Sequence, residues 1–197
     1  FTKEGEPVFA PYVIIEAEGA KIAFLGISTP KTITTSTPTY FQNEAGEYIY
    51  GFCQGEEGAE LYNAVQASVD AARAEGADIV IAMAHLGIEY DCTPWTSSEV
   101  INNTTGIDVV LDGHSHSVIE GDLVKNKDGE DVILTSTGTK LENIGMLTIG
   151  TDGSAKSTLI SNAATVEFVA GIEEQFEALV NEVVASTEVD LTIKDPA

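Results

Sequence analysis

The sequence predicts an α/β fold, and three observations predict it. Two continuous apolar runs, Asp78 to Ala84 and Ile107 to Leu111, read as strands buried on both faces, with a helical segment between them. Four β-rich runs then follow between residues 118 and 161, separated by turn residues. An amphipathic helix closes the pattern.

The elements follow in chain order. Val8 to Glu16 and Lys21 to Ile27 are strand-like runs split by Glu18-Gly19, a hairpin turn, and Ser28-Thr29-Pro30 stops the second. Residues 31 to 58, rich in Thr, Gly, Pro and Glu, show no sustained period and read as a long loop. Leu61, Ala64, Val65, Ser68, Val69 and Ala72 fall at helical spacing, with Gly76 placed to cap the C-terminus. After the strand ending at Ala84, Thr96-Ser97-Ser98-Glu99 is a capping box that starts a short helix through about Asn103. The strand 107–111 completes a βαβ unit with parallel neighbours.

Beyond it, Ile119 to Val124, Val132 to Thr137, Gly145 to Gly150 and Ser154 to Ile160 read as an antiparallel meander. Its turns fall at Lys127-Asp128-Gly129 and Thr151-Asp152-Gly153. Val166, Val169, Ile172, Phe176, Leu179, Val180 and Val183 line one face of the long last helix. From about residue 186 the pattern fades into what reads as a linker.

Composition narrows the chemistry. Nine Lys and Arg stand against 32 Asp and Glu, a net charge of −23. So acidic a surface repels nucleic-acid backbones and anionic lipid, which argues against either as a partner. An anionic substrate is still admissible, because bound divalent cations invert the local field. No apolar run approaches the ~20 residues of a membrane-spanning helix. Cys53 and Cys92 lack the close spacing of a zinc knuckle or a redox pair and read as unpaired thiols, with a single disulfide as the alternative.

The chain holds three histidines, and all follow buried strands. His85 comes directly after the run 78–84; His114 and His116 come directly after 107–111, within Gly113-His114-Ser115-His116. If the two strands are parallel neighbours, their ends lie about 5 Å apart. The carboxyl ends of strands are where open α/β sheets bind ligands. An extended segment would point His114 and His116 to one side, and neutral imidazole suits zinc, manganese, iron and nickel. A serine or cysteine nucleophile relay is not indicated, since no Gly-x-Ser-x-Gly elbow is present.

Ala84-His85-Leu86-Gly87 followed by Asp112-Gly113-His114-Ser115-His116 resembles the last two motifs of the calcineurin-like metallophosphoesterases. Pro11 to Ile14, Lys21 to Pro30 and Gly106 to Leu111 are similar to the bacterial 5′-nucleotidase and 2′,3′-cyclic phosphodiesterase branch, and the likeness spans roughly residues 8 to 190. The resemblance implies the later half of a β-sandwich flanked by helices. Residues 1–185 would be the C-terminal half of the catalytic domain, and 186–197 the start of a linker to a nucleotidase C-terminal domain.

It also implies two divalent metal ions (manganese, zinc, iron or similar) in the full protein. His85 and His114 would bind one and His116 the other, with no catalytic residue here beyond these ligands. Asp112 falls outside the family's ligand positions and is expected to be structural; Asp91 is expected near the mouth, with no assigned role. The family's earlier motifs, Asp-x-His, Gly-Asp and Gly-Asn-His-Asp/Glu, do not occur ahead of His85 in this sequence. The site is therefore expected to be incomplete here and completed by an N-terminal half.

The expected activity is hydrolysis of nucleotide phosphomonoesters or cyclic phosphodiesters, with little by this chain alone. The resemblance also suggests an extracellular or cell-surface location in a bacterium. A half-covered core and an open sheet edge would favour a homodimer or pairing with the missing half. The main rival is a non-catalytic extracellular scaffold that retains the fold; a weaker one is a stand-alone mononuclear zinc protein.

Overall fold

In the computed structural model, residues 1–55, 57–161, 174–178 and 180–182 are described. The first of two units, Phe1–Ser161, runs in this order: β1 (Thr2–Lys3), β2 (Glu6–Pro7), β3 (Tyr12–Ala17), β4 (Ala20–Ser28), α1 (Thr32–Thr35), β5 (Tyr50–Gly51), α2 (Ala59–Ala74), β6 (Ile79–His85), α3 (Ser97–Asn103), β7 (Val109–Asp112), β8 (Val118–Lys125), β9 (Asp131–Thr137), β10 (Asn143–Ile149) and β11 (Ala155–Ser161).

A six-stranded mixed sheet, in the order β3-β4-β6-β7-β9-β8, carries the fold. The β3–β4 hairpin turns at Glu18-Gly19, both at positive φ, and pairs antiparallel with Tyr12 opposite Leu25. From β4 inward the strands are parallel. Ser28 is in register with His85, Met83 with Leu111 and Asp112 with Ser136. β8 closes the far edge antiparallel to β9, with an irregularity between Ile119 and Asp122. The short strands β1, β2 and β5 form a separate three-stranded sheet.

The helices α2 and α3 form where the pattern predicts, and for the expected reasons. α2 buries Leu61, Val65, Val69 and Ala72 along one stripe, and Gly76, at φ +88°, ends it by donating to the Arg73 carbonyl. Thr96 caps α3 by accepting the Glu99 amide at 3.1 Å. Both helices cover one face of the sheet, against Ala23, Leu25, Val80, Ala82, Val110 and Leu134. On the opposite face Ile79, Ile81 and Val109 pack against Leu147, Ile149 and Ala155 of the β10–β11 hairpin. Away from that hairpin this face is open: Val13, Ile15 and Met83 are 55%, 50% and 55% exposed.

The α/β class read from the sequence is the class observed, and two details differ. The four late strands do not form one meander. β8 and β9 complete the main sheet, with β9 inserted next to β7, while β10 and β11 pair only with each other. Hydrophobic alternation specifies that a segment is extended, not which neighbour it bonds. Within the expected loop 31–58, α1, a 3₁₀ turn at Pro38–Phe41 and β5 form; they are too short to leave a periodic signal. Cys53 and Cys92 are both free thiols.

In the second unit, residues 174–178 and 180 are helical, and the Asn181 amide donates to the Glu177 carbonyl at 3.0 Å. Most of the expected closing helix, including Val166, Val169, Ile172, Leu179 and Val183, lies outside the described residues, as does the expected linker 186–197.

Candidate functional site

The parallel register brings the ends of β4, β6 and β7 to one rim. Along β6, Ile79, Ile81, Met83 and His85 share one parity, so the His85 imidazole belongs to the less covered face. The chain after β7 returns across that end. His114 Nδ1 lies 3.2 Å from His85 Nε2, with the two rings edge to face at 4.9 Å between centroids.

Local backbone chemistry makes the approach feasible. A Cβ on Gly113 would sit 3.3 Å from His85 Nδ1, and one on Gly87 would lie 3.2 Å from each of Cys92 Sγ, His114 Cδ2 and Ser115 Cβ. Gly87 also has φ +77°, which glycine adopts without strain.

Asp112 organises the loop that carries His85. Its Oδ1 accepts the Leu86 amide at 3.0 Å and the Gly87 amide at 3.2 Å, so one carboxylate satisfies two backbone donors leaving β6. Ser115 ties the two loops together by accepting the Ile88 amide at 3.3 Å, and its hydroxyl lies 2.9 Å from that of Ser117. The Thr29 amide, from the loop after β4, donates to the His85 carbonyl at 3.0 Å. Asp91 forms an ion pair with Lys31 at 2.7 Å.

His114 is held below the ordinary imidazole range. Burial is the main cause, followed by the neighbouring His85 and the Lys31 charge, while Asp112 and Asp91 oppose the shift. The ring is therefore biased toward its neutral, metal-binding form.

The structure pairs His85 with His114 and leaves His116 outside that pair. The premise of an extended segment fails, because His114 and His116 both have positive φ, 78° and 55°, and the backbone turns between them. Among the described residues no group of three or more His, Cys, Asp or Glu is gathered closely enough to hold a metal ion.

The donor pair nonetheless fits half of a coordination sphere. Two imidazole nitrogens on one tetrahedral zinc, each at about 2.0–2.1 Å, stand about 3.3–3.4 Å apart, close to the separation observed. Lys31 is the neighbour that sequence reading missed. Its only local signal is a lone cation after Ser28-Thr29-Pro30, and its partner lies 60 residues away.

Parts of this sequence match known proteins. The family model described as bacterial capsule synthesis protein PGA_cap matches residues 3–143. The trifunctional nucleotide phosphoesterase YfkN of Bacillus subtilis (strain 168) is 27% identical over 123 residues, 62% of this chain and 7% of YfkN. A 5′-nucleotidase of Diplobatis ommata is 27% identical over 114 residues, 56% of this chain and 16% of its own length. The chain thus spans a small part of the curated relatives it matches. Among solved structures, the calcineurin-like phosphoesterase YfkN from Bacillus subtilis superposes with a TM-score of 0.61 at 20% identity, covering 90% of this chain and 60% of that one.

These relatives are phosphoesterases, and the likeness read from residues 84–87 and 112–116 is borne out at the level of family. The chain belongs to the family described as bacterial capsule synthesis protein PGA_cap, and its fold is that of the calcineurin-like phosphoesterases.

Proposed function

We propose that this chain supplies His85, His114 and His116 to a two-metal centre that hydrolyses nucleotide phosphomonoesters or cyclic phosphodiesters. The observation that carries the reading is the His85–His114 nitrogen pair at the carboxyl ends of adjacent parallel strands. A divalent metal bound there would polarise a water molecule and take up charge developing on the phosphoryl oxygens. Asp112 and Ser115 hold the two ligand loops in place, and Gly87 and Gly113 admit the close approach. His116 is assigned to the second ion, so its separation from the pair is consistent with the reading.

The remaining ligands are proposed to come from an N-terminal half of the same domain, docked on the open part of the second sheet face. Support for this comes from Val13, Ile15 and Met83, apolar yet exposed, and from His85 lying on that same face.

The test is the complete protein loaded with manganese or zinc and assayed on a panel of nucleotides, cyclic nucleotides and simple phosphoesters. His85→Ala and His114→Ala are each expected to lower kcat/KM and metal affinity at least about a hundredfold. A metal-loaded protein that cleaves nothing in the panel would defeat the reading. It would leave the rival of a non-catalytic scaffold.

A further inference from the structure

We propose that the Lys31 ammonium binds a phosphoryl oxygen of the substrate, in the position its Asp91 partner occupies in the free protein. The inference rests on the phosphoesterase reading and adds to it a residue that no metal-ligand argument identifies.

Four observations carry it. First, position: Lys31 follows β4 by three residues, at the rim where Ser28 pairs with His85 and where the Thr29 amide holds the His85 carbonyl. A series of neighbours then leads from Lys31 toward His114. Lys31 Nζ meets Asp91 Oδ2 at 2.7 Å, and Asp91 Oδ1 accepts from Cys92 Sγ at 3.7 Å. Cys92 Sγ and His114 Cδ2 in turn flank the same point above Gly87.

Second, preorganisation. The Lys31 carbonyl accepts the amides of Thr34 and Thr35 at 2.9 and 3.0 Å, and both of their hydroxyls at 3.0 Å. The Lys31 amide donates to Thr29 Oγ1 at 3.3 Å. The base of the side chain is therefore fixed before any ligand arrives, which lowers the ordering cost of binding.

Third, the two halves of the ion pair are unequally exposed: 22% for the Lys31 side chain and 73% for that of Asp91. Most of the Lys31 side chain is covered by protein while that of Asp91 is largely in water. An exposed carboxylate contributes little to such a pair and swings away cheaply, so a phosphoryl oxygen can take its place.

Fourth, sign. With a net charge of −23, the protein field repels an anionic substrate, and a fixed cation beside the reacting group offsets that repulsion locally.

The experiment compares Lys31→Gln, Lys31→Arg and Asp91→Asn in the complete, manganese-loaded protein. KM and kcat are measured for a phosphomonoester, and binding of inorganic phosphate is followed by calorimetry. Lys31→Gln is expected to raise KM and the phosphate Kd about tenfold or more, as loss of a hydrogen bond to a charged group does. Lys31→Arg should hold both within about threefold of the parent, since guanidinium also binds phosphate. Asp91→Asn should change them by less than about threefold, or lower them, as expected for an exposed pair.

If Lys31→Gln leaves phosphate binding unchanged while remaining folded by circular dichroism, the proposal is wrong. It is also wrong if Asp91→Asn is as damaging as Lys31→Gln, since the ion pair rather than the ammonium would then matter. An inactive parent that binds phosphate in a Lys31-dependent way would defeat the phosphoesterase reading and keep this one. An active parent indifferent to Lys31 would do the reverse.

Discussion

The two faces of the main sheet are built from alternate residues of the same strands, yet they are finished differently. On the helix side Val80, Ala82, Val110 and Leu134 meet Leu61, Val65, Val69, Ala72, Val100 and Ile101, all nearly inaccessible. On the other side Ile79, Ile81 and Val109 are covered by one hairpin, while Val13, Ile15 and Met83 face water. Residue type does not distinguish the faces; covering does. The candidate site sits at the rim of the less covered face, so stability and chemistry are assigned to opposite sides of one sheet.

This contrast can be broken by substitution. Ile101→Ala, in the buried face, is expected to cost about 2–5 kcal/mol, through lost transfer energy and the cavity left behind. Ile15→Thr, on the open face, should stay within about 0.5 kcal/mol, as surface changes generally do. Urea denaturation of both variants checks the difference, and equal losses would show that the open face is covered in solution. Repeating Ile15→Thr in the complete protein sharpens the comparison: if an N-terminal half docks on this face, its cost should rise toward that of a core change.

Asp112 gives an intermediate effect. Asp112→Ala strands the Leu86 and Gly87 amides and is expected to cost about 1–3 kcal/mol. Faster hydrogen exchange at those two amides would locate the loss in the His85 loop; unchanged exchange would show that the carboxylate does not hold it.

The smallest effect is a pH dependence. Burial holds His114 below the ordinary imidazole value of about 6.5 in the folded chain, so the unfolded state binds its proton first as pH falls. Its contribution to stability is complete above that value and is lost on acidification through the lower, folded one. An NMR titration of the metal-free chain should find the His114 ring titrating below the ordinary histidine range, and a normal or raised value would contradict the burial argument.

Much of this was legible locally. The apolar runs at 78–84 and 107–111, the capping box at Thr96 and the Gly76 cap are all signals within one element, and each formed within a residue or two of its expected bounds. The position of three histidines after buried strands was equally readable, because strand ends are local features. The pairing of β9 with β7, the separation of His116 from His85 and His114, and the Lys31–Asp91 contact were not readable, since each depends on hydrogen bonds or contacts between distant segments.

By itself, then, the sequence determined most of the longer strands and the helices α2 and α3, the sign of the protein's net charge and the imidazoles that are candidates for binding a metal. Backbone periodicity, charge count and side-chain chemistry are properties of the chain before it folds. Tertiary structure alone decided that two imidazole nitrogens stand 3.2 Å apart, that one carboxylate anchors the His85 loop and that Lys31 pairs with Asp91. The reason is that strand order and backbone turns, set by competition among many pairings, determine which residues meet.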